Sequence, residues 1–347
     1  SRGDAAGSLA EWEKAEKLAP KSADIQDQIG FLLAVLNRQQ EAIVRFESSI
    51  ALDAKFAPAH YHLGVACWLA GSRERAVREL QVAVTLDPGN RDYHLYLGKA
   101  FNSIGLDRQN AGDLAGALDA YRHAVDADPS NLDARNNLGF MLVNTGHPEE
   151  GVGQFRKILD ADPANNMARV NIGFAHLQKA ELDQAEAFFR EALKREPQSV
   201  IAHYDLGVAL KQKDQLDAAK AELARALAID TNFPEGHYTL GIVHWQMGEF
   251  DDAAREMQTA IALNPDYGEA YFMLGTALKQ KGDMQGAETA LRTAIRLNPE
   301  NPGPYNTLGQ LLRLKGDADG SREAFAQGAR AKQKKEAELG RMLQKKP

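Results

Sequence analysis

Residues 268–301 read GEAYFMLGTALKQKGDMQGAETALRTAIRLNPEN. A hydrophobic residue precedes a glycine at Leu274-Gly275, and a glycine followed by an acid at Gly282-Asp283 signals a turn. After the turn, Ala287 and Leu291 place a small and a large apolar residue four positions apart, on one face of a helix. The segment therefore predicts two amphipathic helices joined by a tight turn and closed by a proline, which cannot continue a helix.

This pattern repeats along nearly the whole chain with a period of 34 residues. The hydrophobic–glycine pairs are Ile29-Gly30, Leu63-Gly64, Leu97-Gly98, Leu138-Gly139, Ile172-Gly173, Leu206-Gly207, Leu240-Gly241, Leu274-Gly275 and Leu308-Gly309. The boundary prolines are Pro20, Pro88, Pro129, Pro163, Pro197, Pro265 and Pro299, with Ala54 and Thr231 in two equivalent places and one interval of 41 residues. A unit repeated at this period predicts a solenoid, because one helix pair cannot bury its apolar faces alone.

The small, large and turn residues recur at the same positions of each unit. This pattern resembles the repeat of the tetratricopeptide repeat family. The resemblance implies an all-α fold, a right-handed superhelical α-solenoid, and a non-enzymatic scaffold for protein–protein interaction. It also implies that the first helix of each repeat lines a concave groove. The residues that point into this groove are expected shortly before and shortly after the repeat glycine.

The pattern divides the chain into three parts. Residues 1–22 match a second helix without its first helix, residues 23–335 hold nine repeats, and residues 336–347 end a basic capping helix that begins near Ala331. The third repeat carries a seven-residue insertion near residues 105–112. Its spacing fits either about two added helical turns or a longer loop.

The groove positions are rich in aromatic residues, which predicts that the groove binds a segment of a partner protein or peptide. The predicted binding residues are Phe31, Tyr61, Trp68, Asn136, Phe140, Asn171, Phe174, Tyr204, Tyr238, Trp245 and Phe272. Packing of these aromatic residues against each other, inside a narrow superhelix, is the alternative interpretation.

A second hypothesis is a structural protein that assembles head to tail into filaments, because solenoid ends can stack on other copies of the same chain. The predicted assembly ends are Trp12 in the N-terminal half repeat and Leu339, Met342 and Leu343 in the C-terminal tail. Seven Lys or Arg against two Glu make residues 330–347 basic, whereas the whole chain has a net charge of −7. Residues 1–329 are therefore strongly acidic, which argues against nucleic acid as a partner.

Catalysis has little support in the sequence, which has neither a phosphate-binding glycine loop nor a nucleophile elbow. His60, His94, His203 and His237 share one repeat position, but they lie about a repeat apart, too far to share one metal ion. We therefore expect no catalytic residues, no metal and no cofactor. The single cysteine, Cys67, falls at a core position and is expected to be a buried thiol.

No stretch of the sequence approaches the roughly 20 apolar residues of a membrane-spanning helix, so no membrane-spanning segment is expected. The compartment stays undetermined. A first residue other than methionine is compatible with an exported or cell-surface protein and equally with a cytoplasmic one.

Overall fold

The structure is a computed structural model that describes the backbone of residues 2–344 and the side chains of residues 4–337. Over this part of the chain it contains nineteen α-helices and no β-strand. Consecutive helices pack on each other over residues 2–161 and over residues 182–344. The all-α repeat solenoid predicted from the sequence is confirmed.

The chain divides into two compact units, Ser1–Ala175 and His176–Pro347. The helices of the first unit are α1 (Arg2–Leu18), α2 (Ala23–Val35), α3 (Gln39–Leu52), α4 (Ala57–Leu69), α5 (Arg73–Leu86), α6 (Arg91–Asn110), α7 (Leu114–Ala127), α8 (Leu132–Asn144) and α9 (Pro148–Ala161). Helix α10 (Asn166–Gln178) contains the boundary.

The helices that lie wholly in the second unit are α11 (Leu182–Arg195), α12 (Val200–Gln212), α13 (Leu216–Ile229), α14 (Pro234–Gln246), α15 (Phe250–Leu263), α16 (Gly268–Lys281), α17 (Met284–Leu297), α18 (Pro302–Leu314) and α19 (Ala318–Gln344). From α2 onward, even-numbered helices are the first helices of the repeats and odd-numbered helices are the second helices.

The repeat glycine brings the two helices of a pair into close contact. A Cβ added at Gly139 would lie 2.6 Å from a ring carbon of Phe155, closer than real Cβ atoms approach other atoms. The same contact recurs between Gly30 and Phe46, Gly64 and Leu80, Gly207 and Leu223, Gly241 and Met257, Gly275 and Leu291, and Gly309 and Phe325. In these repeats the large residue of the second helix therefore packs directly on the backbone of the first.

A residue with positive φ ends the turn after every first helix. Six of these residues are glycines, namely Gly71, Gly112, Gly146, Gly248, Gly282 and Gly316. The other three are Asn37, Ala180 and Asp214, with φ angles of 62°, 58° and 59°. Ala180 is the least suited to this conformation, because its Cβ crowds the backbone and it has no polar side chain to compensate.

Replacement of Ala180 by glycine is expected to stabilise the protein by about 1 kcal/mol, because glycine adopts the left-handed conformation without steric cost. The change is measured as a higher urea midpoint for the variant. Asn37→Gly is the matched control and should gain less, since asparagine tolerates positive φ better than alanine. An unchanged or lower midpoint for Ala180→Gly would contradict the assigned turn geometry.

The seven extra residues of the third repeat are helical. Helix α6 has 20 residues, against 13 in α8, and the turn that follows it is at Gly112. Gly105 thus lies inside the helix, where it packs on the ring of Tyr121 as the other repeat glycines pack on their large partners. Gly98 makes a second close approach, to Asp128 and the Ala124 carbonyl.

The end of the described chain corrects one expectation. The basic segment was predicted to be a further helix that begins near Ala331, but α19 continues through Ala331 without a break. The second helix of the ninth repeat and the basic segment are therefore one helix. Among the helices of residues 2–344, none is both long enough and apolar enough to cross a membrane.

Candidate partner-binding surface

Polar side chains of neighbouring first helices pair with each other 35 residues apart. The pairs are His62 with Asp27 at 2.8 Å, Asn137 with Asn102 at 3.0 Å, Asn171 with Asn136 at 2.7 Å, and Tyr204 with Thr239 at 3.3 Å. Each pair joins the sixth residue of one first helix to the fifth residue of the preceding first helix. In the longer helix α6, Asn102 takes the place of the fifth residue. These contacts fix the spacing of the first helices, and one of them joins the two predicted binding asparagines, Asn136 and Asn171.

An aromatic cluster covers the first helices at the start of the first unit. The rings of Tyr61 and Tyr93 are 4.8 Å apart, and Tyr96 meets Tyr61 edge-on at 5.6 Å and Trp68 edge-on at 5.9 Å. Burial raises the pKa of Tyr61 to about 12. Phe31 lies at the margin of this cluster, with 45% of its surface exposed and its ring 5.5 Å from His62.

A second group of predicted residues lies further along the first unit. Phe140 stacks on Phe174 with their ring centroids 5.7 Å apart, and Phe140 is 36% exposed. Asn136 accepts a hydrogen bond from the buried Asn171 beside them. Two aromatic rings and two amides therefore share one face of consecutive first helices.

The second unit holds four of the predicted binding residues, all half-buried. Tyr204 meets Phe233 at 4.9 Å, and Tyr238 meets Tyr267 at 5.0 Å. The buried Nε1 of Trp245 has no hydrogen-bond partner among the described residues. The fourth residue, Phe272, packs against the hydrophobic core between α17 and α18. These aromatic residues thus contact other parts of their own unit, as the alternative interpretation expected of some of them.

Sequence reasoning missed Phe233 and Tyr267, which immediately precede first helices. At the same place Asn131 and Ser199 cap their helices by accepting a backbone hydrogen bond, whereas the two aromatic residues make no such bond. Their rings lie on the tyrosines of the preceding first helix instead. An aromatic residue at a capping position was the signal that could have identified them.

The shared histidine position has a structural explanation. It is the fourth residue of the first helix, occupied by His60, His94, His203 and His237. Their Nε2 atoms lie 3.0 to 3.3 Å from the carbonyl oxygen six residues earlier. Arg135 stands at the same position and donates to the Pro129 carbonyl at 2.6 Å. Each side chain therefore ties its repeat to the preceding loop.

Among the described residues, His244, Glu249 and Asp252 have ligand atoms close enough to hold one metal ion. Their carboxylates already have cationic partners. Lys220 Nζ lies 3.0 Å from Glu249 Oε1, and Arg255 contacts Asp252. The group is thus accounted for by ion pairs.

Helix α12 carries a buried carboxyl next to the predicted residue Tyr204. Burial raises the pKa of Asp205 to about 7, and no described side chain or backbone group hydrogen-bonds its carboxylate. Burial also lowers the pKa of Lys211 on the same helix.

The single cysteine, Cys67, is buried in the first unit, as expected from its core position. Burial raises the pKa of its thiol, which favours the unreactive, protonated form.

The predicted assembly ends are covered or lie outside the described side chains. Leu9 is buried, and the half-buried Trp12 packs on the core formed by α2, α3 and α4. Trp12 therefore has an intramolecular partner. The side chains of Leu339, Met342 and Leu343 lie outside the described residues.

Several solved structures are similar to this chain. The crystal structure of MamA is 27% identical and matches 48% of this chain and 97% of its own, with a TM-score of 0.46. YrrB, a TPR protein described as having an unusual peptide-binding site, is 22% identical over 55% of this chain and 95% of its own, with a TM-score of 0.44. The APC/C hetero-tetramer Cut9–Hcn1 is 18% identical and matches 95% of this chain and 78% of its own, with a TM-score of 0.51, a likeness of fold alone.

No curated protein matches the sequence significantly. A family model does match, over residues 105–343, which is more than half of the chain. It describes the TPR-containing C-terminal domain of cilia and flagella-associated protein 70. The match includes the lengthened third repeat from Gly105 and reaches into α19. The chain therefore belongs to the TPR family of the cilia and flagella-associated protein 70 C-terminal domain.

Proposed function

We propose that this protein is a non-enzymatic scaffold that binds a segment of a partner protein along its first helices. The observation that carries the proposal is the exposure of Phe31 and Phe140, at 45% and 36% of their surface. Among the large hydrophobic residues that the structure describes as exposed, Phe31 and Phe140 are the aromatic ones. Both lie on first helices. Exposed aromatic rings are typical anchors of protein interfaces.

The amides near Phe140 support binding of a polypeptide main chain. Asn102, Asn136 and Asn137 line a cleft of about 410 Å³ in the first unit, together with the partly exposed Leu106 and Met167. An amide offers both donors and an acceptor, which matches the peptide groups of an extended segment. Apolar side chains of the same segment would lie on Leu106 and Met167.

The test is binding of peptides selected from a random display library with the full chain as bait. Replacing Phe140 by alanine should weaken the selected peptides about 30-fold or more, the effect of losing an interface anchor worth about 2 kcal/mol. Thermal stability should change little because the ring is already substantially exposed. Affinity is measured by fluorescence anisotropy.

Val44→Ala is the matched control, since Val44 is 52% exposed but lies on the second helix α3. It should leave peptide affinity unchanged. Equal losses in the two variants, or no loss with Phe140→Ala, would place the binding surface elsewhere. Tyr204 and Tyr238 are less suitable for this test because both are half-buried, so their truncation would lower stability more than truncation of the exposed Phe140.

A further inference from the structure

A cavity of about 200 Å³ opens between the first two repeats, next to the aromatic cluster. Its walls include the rings of Phe31, Tyr61 and Tyr96 and the side chains of His62 and Gln39. Leu69, which is 63% exposed, lies at the wall as well. Cavities of about 150 Å³ with apolar walls bind benzene, so this cavity has room for an aromatic side chain.

The cavity exists because the first repeat has small or polar residues where other repeats have large ones. Ala34 is the twelfth residue of its first helix, a position filled elsewhere by Trp68, Val143, Leu177, Lys211, Trp245, Lys279 and Arg313. Gln39 is the first residue of its second helix, and the equivalent residues include Leu114, Leu182, Leu216, Phe250 and Met284. Both Ala34 and Gln39 line the cavity.

The cavity also presents a hydrogen-bond acceptor that nothing in the described chain satisfies. Gln39 Oε1 is buried and has no partner. His62 donates from Nδ1 to Asp27, so in a neutral ring its Nε2 is a second acceptor. An unpartnered buried acceptor costs free energy unless a ligand supplies a donor. The site therefore favours an occupant that combines a flat apolar ring with an N–H group.

The protein itself shows which side chain meets this demand. At the position of Ala34, the second repeat has Trp68, whose indole Nε1 donates to Ser103 Oγ at 2.9 Å and whose ring packs on Tyr96. The seventh repeat has Trp245 there, packed on the core of its own unit. In two repeats, therefore, the chain's own tryptophan stands at the position that Ala34 occupies in the first repeat.

We propose that the cavity lined by Ala34 and Gln39 binds a tryptophan side chain of the partner segment. The indole ring would lie among Phe31, Tyr61 and Tyr96, and its N–H would donate to Gln39 Oε1. This inference rests on the proposed function, which supplies the partner segment that carries the tryptophan. It identifies one side chain by which that segment would be held.

The test uses N-acetyl-5-fluorotryptophanamide as the probe, with binding to the full chain followed by ¹⁹F NMR. Ala34→Leu should weaken the probe at least about tenfold, because the leucine side chain occupies the space. Gln39→Leu should weaken the probe by about tenfold but should not weaken N-acetyl-phenylalaninamide, which has no ring N–H. Both substitutions introduce leucine, a residue that other repeats place at these positions, and thermal melts check that the variants remain folded.

Any of four results would overturn the inference. The first two are no probe binding by the wild type and equal probe binding by the wild type and Ala34→Leu. The other two are equal affinity for the tryptophan and phenylalanine derivatives, and probe binding without binding of the peptide acetyl-Gly-Ser-Trp-Ser-Gly-amide. The last result would mean that the cavity takes free indoles only. Phe140→Ala should leave the probe affinity unchanged. If that variant loses the library-selected peptides while the probe never binds, the proposed function stands and the tryptophan inference fails.

Discussion

Replacing Asp205 by asparagine is expected to stabilise the protein strongly at pH 8 and hardly at all at pH 4. In the folded protein, burial raises the pKa of this carboxyl from its ordinary value of 3.8 to about 7. Between these values the folded state keeps a proton that the unfolded chain releases, so the wild type loses stability as the pH rises from about 4 to about 7. The loss remains in full above the folded pKa and amounts to about 4 kcal/mol at most.

The measurement is the difference in urea midpoint between Asp205→Asn and the wild type, at several pH values from 4 to 9. Other titrating groups cancel in this difference because both proteins contain them. Asp217→Asn on α13 is the matched control, since Asp217 is exposed and its replacement should give a small difference. A difference for Asp205→Asn that stays constant across this range would show that its carboxyl ionises in the folded state much as it does in the unfolded chain.

Gly151→Ala is expected to destabilise the first unit by about 1–3 kcal/mol, the usual cost of an overpacked contact. A Cβ at Gly151 would lie 2.7 Å from the backbone carbonyl oxygen of Gly139 and 2.6 Å from a methyl carbon of Val143. Side chains can turn away from such a contact, but the Gly139 backbone belongs to α8 and cannot move alone. Helices α8 and α9 would have to separate.

Gly153→Ala provides the control within the same helix. An added Cβ at Gly153 meets nothing within 4 Å, so the variant should gain up to about 1 kcal/mol from the higher helix propensity of alanine. The two alanine variants should therefore shift the thermal unfolding midpoint in opposite directions. Shifts of the same sign would mean that the α8–α9 contact is looser than the structure shows.

Part of the candidate surface could be predicted by counting from the repeat glycines. That count found Asn136, Phe140 and Asn171, which lie together on consecutive first helices. It missed Asn102 because the count in the third repeat began from Gly98. The helical insertion makes Gly105 the glycine that packs on the second helix, and Asn102 stands three residues before it.

The contacts of the aromatic residues could not be predicted from their positions. Tyr204 and Tyr238 lie on first helices, and each meets a ring that immediately precedes the following first helix. Phe31 occupies an equivalent face and remains exposed. Whether a ring faces solvent or another ring depends on the residues of the next repeat, which lie far along the chain.

The sequence by itself determined the repeat architecture, because the spacing of glycine, small and large residues is a local requirement for packing one helix on the next. It also identified glycine turns between paired helices, such as the one at Gly282. Only the tertiary structure decided that the seven extra residues continue α6, that α19 is one helix, and that a cavity forms between Ala34 and Gln39. Each depends on how side chains from separate helices fill a shared volume, which spacing along one chain does not specify.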